Sequence, residues 1–128
     1  DISTIAGYME AMEPDENGEE ETKYSDSYET LRKQFLTLVS ERLAAYYYGL
    51  GNDSYRNGDY EAAIPNLQRA FSYDNTNVDA LFYLGNCYRE NGDNDKAKET
   101  YAQVMDDFPG TDRASRSETY LAEINNQN

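Results

Sequence analysis

The side chains able to do chemistry are unevenly stocked in this sequence. There is no histidine and one cysteine, against 25 acidic residues and 13 tyrosines. Without histidine the usual general base at neutral pH is missing, which excludes histidine-based triads and imidazole metal sites. Cys87 sits between Asn86 and Tyr88. No histidine or second cysteine is present to activate its thiol, so it reads as a small packing residue. One spacing hints at a metal: Asp15-x-Asn17-x-Glu19 has the form of the start of a calcium-binding loop. The glycine such a loop needs at its sixth position is Glu20, and its twelfth position is Asp26 rather than Glu, which rules it out. Asn52-Asp53-Ser54 is a glycosylation sequon in form but falls within a predicted helix. Most remaining carboxylates lie in one acidic run or at expected helix starts, where solvation accounts for them. The expectation is a non-enzymatic protein with no cofactor and no metal.

Recognition chemistry is better supplied. Helical residues one turn apart share a face. On that spacing Tyr48, Asn52 and either Tyr55 or Arg56 form one line. Phe82, Asn86 and Arg89 form a second, and Arg113 or Arg116 adds a cation further on. Paired asparagines can hydrogen-bond an extended peptide backbone, and arginine can fork a carboxylate. These lines offer Tyr48, Asn52, Arg56, Phe82, Asn86, Arg89 and Arg116 as candidate binding residues; that this face meets a partner is what the family resemblance given below implies. Tyr46-Tyr47-Tyr48 cannot all face one way, because successive helical residues turn by about 100°.

The elements that must carry these residues repeat. Leu50-Gly51-Asn52 returns as Leu84-Gly85-Asn86, Asn57-Gly58-Asp59 as Asn91-Gly92-Asp93, and Ala63 as Ala97, always 34 residues later. A fixed period of that length signals a stacked helical array. Gly58 and Gly92 follow helical stretches, as left-handed C-terminal caps do. Asp59 and Asp93 then suit the N-cap of the next helix, with Glu61 and Asp95 in its first turn. Gly51 and Gly85 each sit inside a helix, where glycine costs about 1 kcal/mol against alanine. Its recurrence at one position implies a close helix crossing.

These residues resemble the tetratricopeptide repeat (TPR), a helix-turn-helix unit, over a little more than half the chain. The resemblance implies an all-α solenoid of two full repeats, residues 44–77 and 78–111, with antiparallel pairs 44–57 with 60–73 and 79–91 with 95–108. It implies that Tyr47 and Leu81 point into the packing between helices. Tyr48 and Phe82 then either line the concave groove or serve as further packing aromatics. It also implies a protein-binding scaffold. TPR domains that hold C-terminal carboxylates use an Asn-plus-basic clamp, to which the Asn and Arg positions here are similar, although its Lys positions are not matched. Pro109-Gly110 closes the second repeat; in the first, that turn rests on Asp74-Asn75-Thr76-Asn77. Pro65 lies inside the second helix of the first repeat, where a mild bend is expected. Residues 112–128 carry Ala114, Tyr120, Leu121 and Ile124 on one side and are expected to form a capping helix from 113 to about 125. The Phe108-Pro109-Gly110-Thr111 entry to it looks like the end of bacterial envelope-assembly TPR proteins.

Before the repeats, residues 25–43 form an apolar stripe of Tyr28, Leu31, Phe35, Leu38, Val39 and Leu43 with no Gly or Pro. One helix from about Asp26 to Asn57 is predicted. Residues 1–24 combine a short amphipathic stretch, Ile2, Ile5, Tyr8, Met9 and Met12, with an acidic run from Asp15 to Glu21 that reads as a solvated linker. The chain opens at Asp1 without Met, as a piece of a longer protein or a processed product would.

Net charge of -14 argues against nucleic acid and anionic lipid as partners. No apolar run approaches the roughly 20 residues of a membrane span. The expected partner is a protein or peptide, either acidic, because the few arginines gather on one face, or the chain's own N-terminal segment. A second function class is an assembly subunit that forms homo-oligomers through its long N-terminal helix.

Overall fold

The computed structural model describes the backbone of residues 19–127 and the side chains of residues 26–127. The expectations for Ile2 to Met12 and for Asp15 to Gly18 fall outside the described residues. Five α-helices follow one another: α1 Glu19–Arg56, α2 Tyr60–Tyr73, α3 Val78–Glu90, α4 Asn94–Asp107 and α5 Asp112–Asn126. No strand occurs among the described residues. The chain divides into two compact units, residues 1–42 and 43–128.

In the first unit, α1 begins at Glu19 rather than near Asp26. The predicted solvated run is therefore helical over Glu19, Glu20 and Glu21. No Gly or Pro interrupts the sequence between Glu19 and Tyr48, so nothing breaks the helix there. Composition alone could not separate this helix start from a linker. Leu31 and Leu38 are 59% and 51% exposed.

The second unit is built by short-range rules used twice. Gly58 and Gly92 both take φ of 79°, a left-handed conformation that a side chain would strain. At the first turn the Asp59 N–H donates to the Ser54 carbonyl at 2.9 Å; at the second the Asp93 N–H donates to the Tyr88 carbonyl at 2.9 Å. These six-residue closures satisfy carbonyls that each preceding helix leaves open. Asp59 then accepts from the Ala62 N–H and Asp93 from the Lys96 N–H, both at 3.3 Å, as the N-cap reading expected. Asn77 and Thr111 cap α3 and α5 in the same way. Asp74 Oδ1 accepts from the Thr76 N–H at 3.0 Å, closing the turn that lacks a proline. α2 runs unbroken through Pro65.

Packing explains the helical glycines. A Cβ on Gly51 would lie 2.8 Å from the Leu67 side chain, and one on Gly85 would lie 2.8 Å from the Tyr101 ring. Leu67 and Tyr101 are themselves one period apart, so each repeat drives a bulky α2 or α4 side chain against bare backbone. The core joins Ala63, Leu67, Ala70, Ala80, Leu81, Phe82, Ala97, Tyr101, Val104 and Ile124. It is densest around α3, which packs against α2, α4 and α5. α5 packs on α4 and α3 with Ala114, Ser117 and Ile124 buried. No described helix is long and apolar enough to cross a membrane.

Candidate peptide-binding face

The face is built from the first helix of each repeat plus α5, all within the second unit. Corresponding positions in successive helices meet. Asp79 and Arg113 are one period apart, and Arg113 Nε donates to Asp79 Oδ1 at 2.9 Å. The same guanidinium donates through Nη2 to the Tyr83 hydroxyl at 3.1 Å. It also lies 4.9 Å from the Phe82 ring centre and 5.3 Å from that of Tyr83. Two hydrogen bonds and two ring contacts leave this cation little rotational freedom. Its pKa is raised, first by the Asp79 hydrogen bond, and it stays charged at any ordinary pH.

Tyr83 stacks on Tyr55 with ring centres 4.8 Å apart. Behind Tyr55, Asn86 Nδ2 donates to the Tyr55 hydroxyl at 3.1 Å, while the Tyr101 hydroxyl donates to Asn86 Oδ1. Tyr101 is fully buried, and burial pushes its phenol pKa up although Arg89 draws it down. Burial also raises the Tyr55 pKa, against the lowering effect of the Asn86 hydrogen bond. Tyr48, half-buried, has its pKa raised by burial and then by Asp79 and Tyr83, with Arg113 and Arg56 pulling the other way. Tyr48, Arg56, Asp79, Tyr83 and Arg113 therefore share one electrostatic neighbourhood.

The residues expected from sequence divide into two groups. Tyr48 and Asn52 are half-buried and Arg56 is exposed. Phe82 and Asn86 are buried, at 2% and 4% exposure. Phe82 stacks on Tyr120 at 6.0 Å, and both polar atoms of Asn86 are engaged by tyrosines. Arg89 lies 3.8 Å above the Tyr120 ring and 3.6 Å from Glu90. Arg116 pairs along its own helix with Asp112 at 3.3 Å and stays exposed. Of the two C-terminal arginines, Arg113 is the one joined to α3. Tyr83 is absent from the sequence-derived set, because its counterpart one period earlier is Gly49 and the repeat carries no signal there. Its spacing of four from Asp79 on one helix was the available clue. No cluster of His, Cys, Asp and Glu able to hold a metal occurs among the described residues.

The sequence matches the model of the tetratricopeptide repeat family over residues 54–118, about half of the chain. It is also similar to two curated proteins called photosystem I assembly protein Ycf3, from two strains of Prochlorococcus marinus. The identities are 33% and 31%, each over 84 residues. Those alignments take in 63% of this chain and 49% of each relative, so the chain spans about half the length of the curated relatives it matches. With the repeat period, the capped helix pairs and the glycine crossings, the match over residues 54–118 makes this chain a member of the tetratricopeptide repeat family.

Proposed function

We propose that the chain binds an extended peptide segment of a partner protein across Tyr48, Asn52, Tyr55, Arg56, Tyr83 and Arg113. The family and the assembly-named relatives support a protein-interaction or assembly role without catalysis. The observation that carries the finer reading is the Arg113–Asp79–Tyr83–Tyr55 array. These half-buried polar aromatics are held in place before any ligand arrives, which lowers the ordering cost of binding. Phe82 and Asn86 act from behind, as the wall that fixes Tyr120, Arg113 and Tyr55. By likeness to relatives named for photosystem I assembly, the partner is a subunit on its way into a larger complex.

The test is selection of a random-peptide phage library on the immobilised full chain. Peptides so obtained should lose affinity for Tyr48→Ala and Arg56→Glu chains but not for Glu99→Arg, at an exposed position on α4. Selected peptides indifferent to Tyr48 and Arg56, or no selection at all, would defeat the reading.

One observation favours a second reading. Leu31 and Leu38 are exposed and one heptad apart on the first unit, as self-association through α1 requires. Sedimentation equilibrium should then detect a dimer that Leu31→Asp with Leu38→Asp dissociates.

A further inference from the structure

Tyr83 and Tyr55 share a hydrogen-bonding state that follows from the donors around them. A guanidinium has donors and no acceptor. Tyr83 therefore uses an oxygen lone pair to receive Arg113 Nη2, and its own O–H proton is not consumed by that bond. The state of Tyr55 follows from Tyr101. Tyr101 is fully buried, so its proton needs an acceptor, and Asn86 Oδ1 takes it. Turning the Asn86 amide over would present Nδ2 to Tyr101 and leave that buried proton without an acceptor. The amide is thus oriented with Nδ2 toward Tyr55, whose oxygen accepts. Tyr55, like Tyr83, keeps its proton for another partner. The two rings stack at 4.8 Å on the half-exposed face.

We infer that the stacked Tyr55–Tyr83 pair is a two-donor reading site for neutral main-chain carbonyl oxygens of an extended peptide. The inference rests on the groove reading proposed above and names what that groove recognises. The choice of carbonyl over carboxylate follows from charge. The nearest guanidinium, Arg113, is already paired with Asp79 at 2.9 Å, and the chain carries a net charge of -14. A ligand carboxylate held at this pair would have to displace Asp79 from Arg113 and approach a strongly anionic protein. A neutral carbonyl does neither and needs only the two phenol protons.

The probe is a phage-selected peptide, resynthesised with a free and with an amidated C-terminus and titrated by fluorescence anisotropy against the full chain. Tyr83→Phe keeps the ring and removes only the hydroxyl. Affinity should fall roughly three- to tenfold, the net worth of a hydrogen bond, with an unchanged far-UV spectrum. Tyr55→Phe should do the same, and Tyr73→Phe, on the exposed end of α2, should do nothing. Both peptide forms should bind equally. On peptide addition the ζ-carbon resonances of Tyr55 and Tyr83 should move and that of Tyr73 should not.

Wild-type affinity in Tyr83→Phe, with binding still abolished by Tyr48→Ala, would overturn the donor pair and leave the groove standing. Indifference to Tyr48→Ala as well, or failure to select any peptide, would overturn both. Loss of binding on amidation would replace the carbonyl with a terminal carboxylate and overturn the inference.

Discussion

The two repeats carry one sequence signature in two environments. In the second, Leu84-Gly85-Asn86 is buried throughout; Leu84 is 7% exposed and Asn86 is 4% exposed. In the first, Leu50 is 38% exposed and Asn52 only half-buried. The left-handed glycine turns, the Asp N-caps after them and the glycines at the helix crossings recur in both, so these local features are not the source of the difference. α3 has helices packed around it on several sides, α2, α4 and α5, whereas the corresponding part of α1, residues 43–56, stands at the start of the second unit's stack. A repeat sequence therefore assigns a residue its local role, and the place in the stack decides whether that residue is buried in the core or left partly exposed. Tyr48 and Phe82 illustrate this: one period apart, the first is half-buried on the candidate face and the second lies between Tyr120 and Arg113.

The two repeats should differ most in their response to substitution at the glycines. Gly85→Leu should drive a side chain into the Tyr101 ring, which Asn86 locks, and is expected to cost about 3 kcal/mol, the upper end of overpacking. Gly51→Leu meets Leu67, an aliphatic side chain with rotamers to exchange, and should cost about 1–3 kcal/mol, less than its partner. Chemical denaturation measures both. Equal losses would mean the two crossings are equally rigid, and no loss in either would remove the packing account.

The next largest contrast is at the asparagines. Asn86→Leu strips the fully buried Tyr101 hydroxyl of its acceptor and should cost about 1–3 kcal/mol. Asn52→Leu, at the corresponding half-buried position, should stay within about 0.5 kcal/mol. Similar melting temperatures for the two variants would show that depth in the stack does not set the role of this position.

Two smaller effects concern α5. Ser117 is fully buried in α5 with no hydrogen-bond partner for its hydroxyl among the described residues. Ser117→Ala should raise stability by about 1 kcal/mol, because an unsatisfied buried hydroxyl opposes folding; a lower melting temperature would show that the hydroxyl has a partner. Arg113→Ala should cost about 1 kcal/mol or less, since its ion pair is partly solvated and its ring contacts are individually modest. That loss should shrink as salt rises, and a salt-independent loss would place its origin in packing.

The smallest effect at neutral pH belongs to Cys87, which has no cysteine counterpart in the first repeat. Burial, then Glu90, pushes its thiol pKa from 9.0 up to about 12. The native protein should resist iodoacetamide at pH 8 and react only after unfolding. Because the folded pKa is the higher one, the unfolded state loses this proton first as pH rises. Stability should hold below about pH 9 and decline between there and about pH 12. Rapid native alkylation would contradict the burial.

Short-range chemistry along the chain set the period, the helix pairs, the N-caps at Asp59 and Asp93, the left-handed glycines and the places where a close crossing is required. All of these are local, set by backbone conformation and by side chains a few residues apart, and each was written twice. What surrounds each repeated position was decided by tertiary structure. Only the arrival of α5 over α3 buries Phe82 and selects Arg113 over Arg116, and only the α3–α4 crossing turns Asn86 into the link between Tyr101 and Tyr55. The stacked pair Tyr55–Tyr83 was invisible to the period, since Gly49 stands where Tyr83 would have its counterpart. Burial and pairing of this kind depend on which helices lie alongside. A repeat reports that neighbours exist, and the packing of the helices determines which residues they bury.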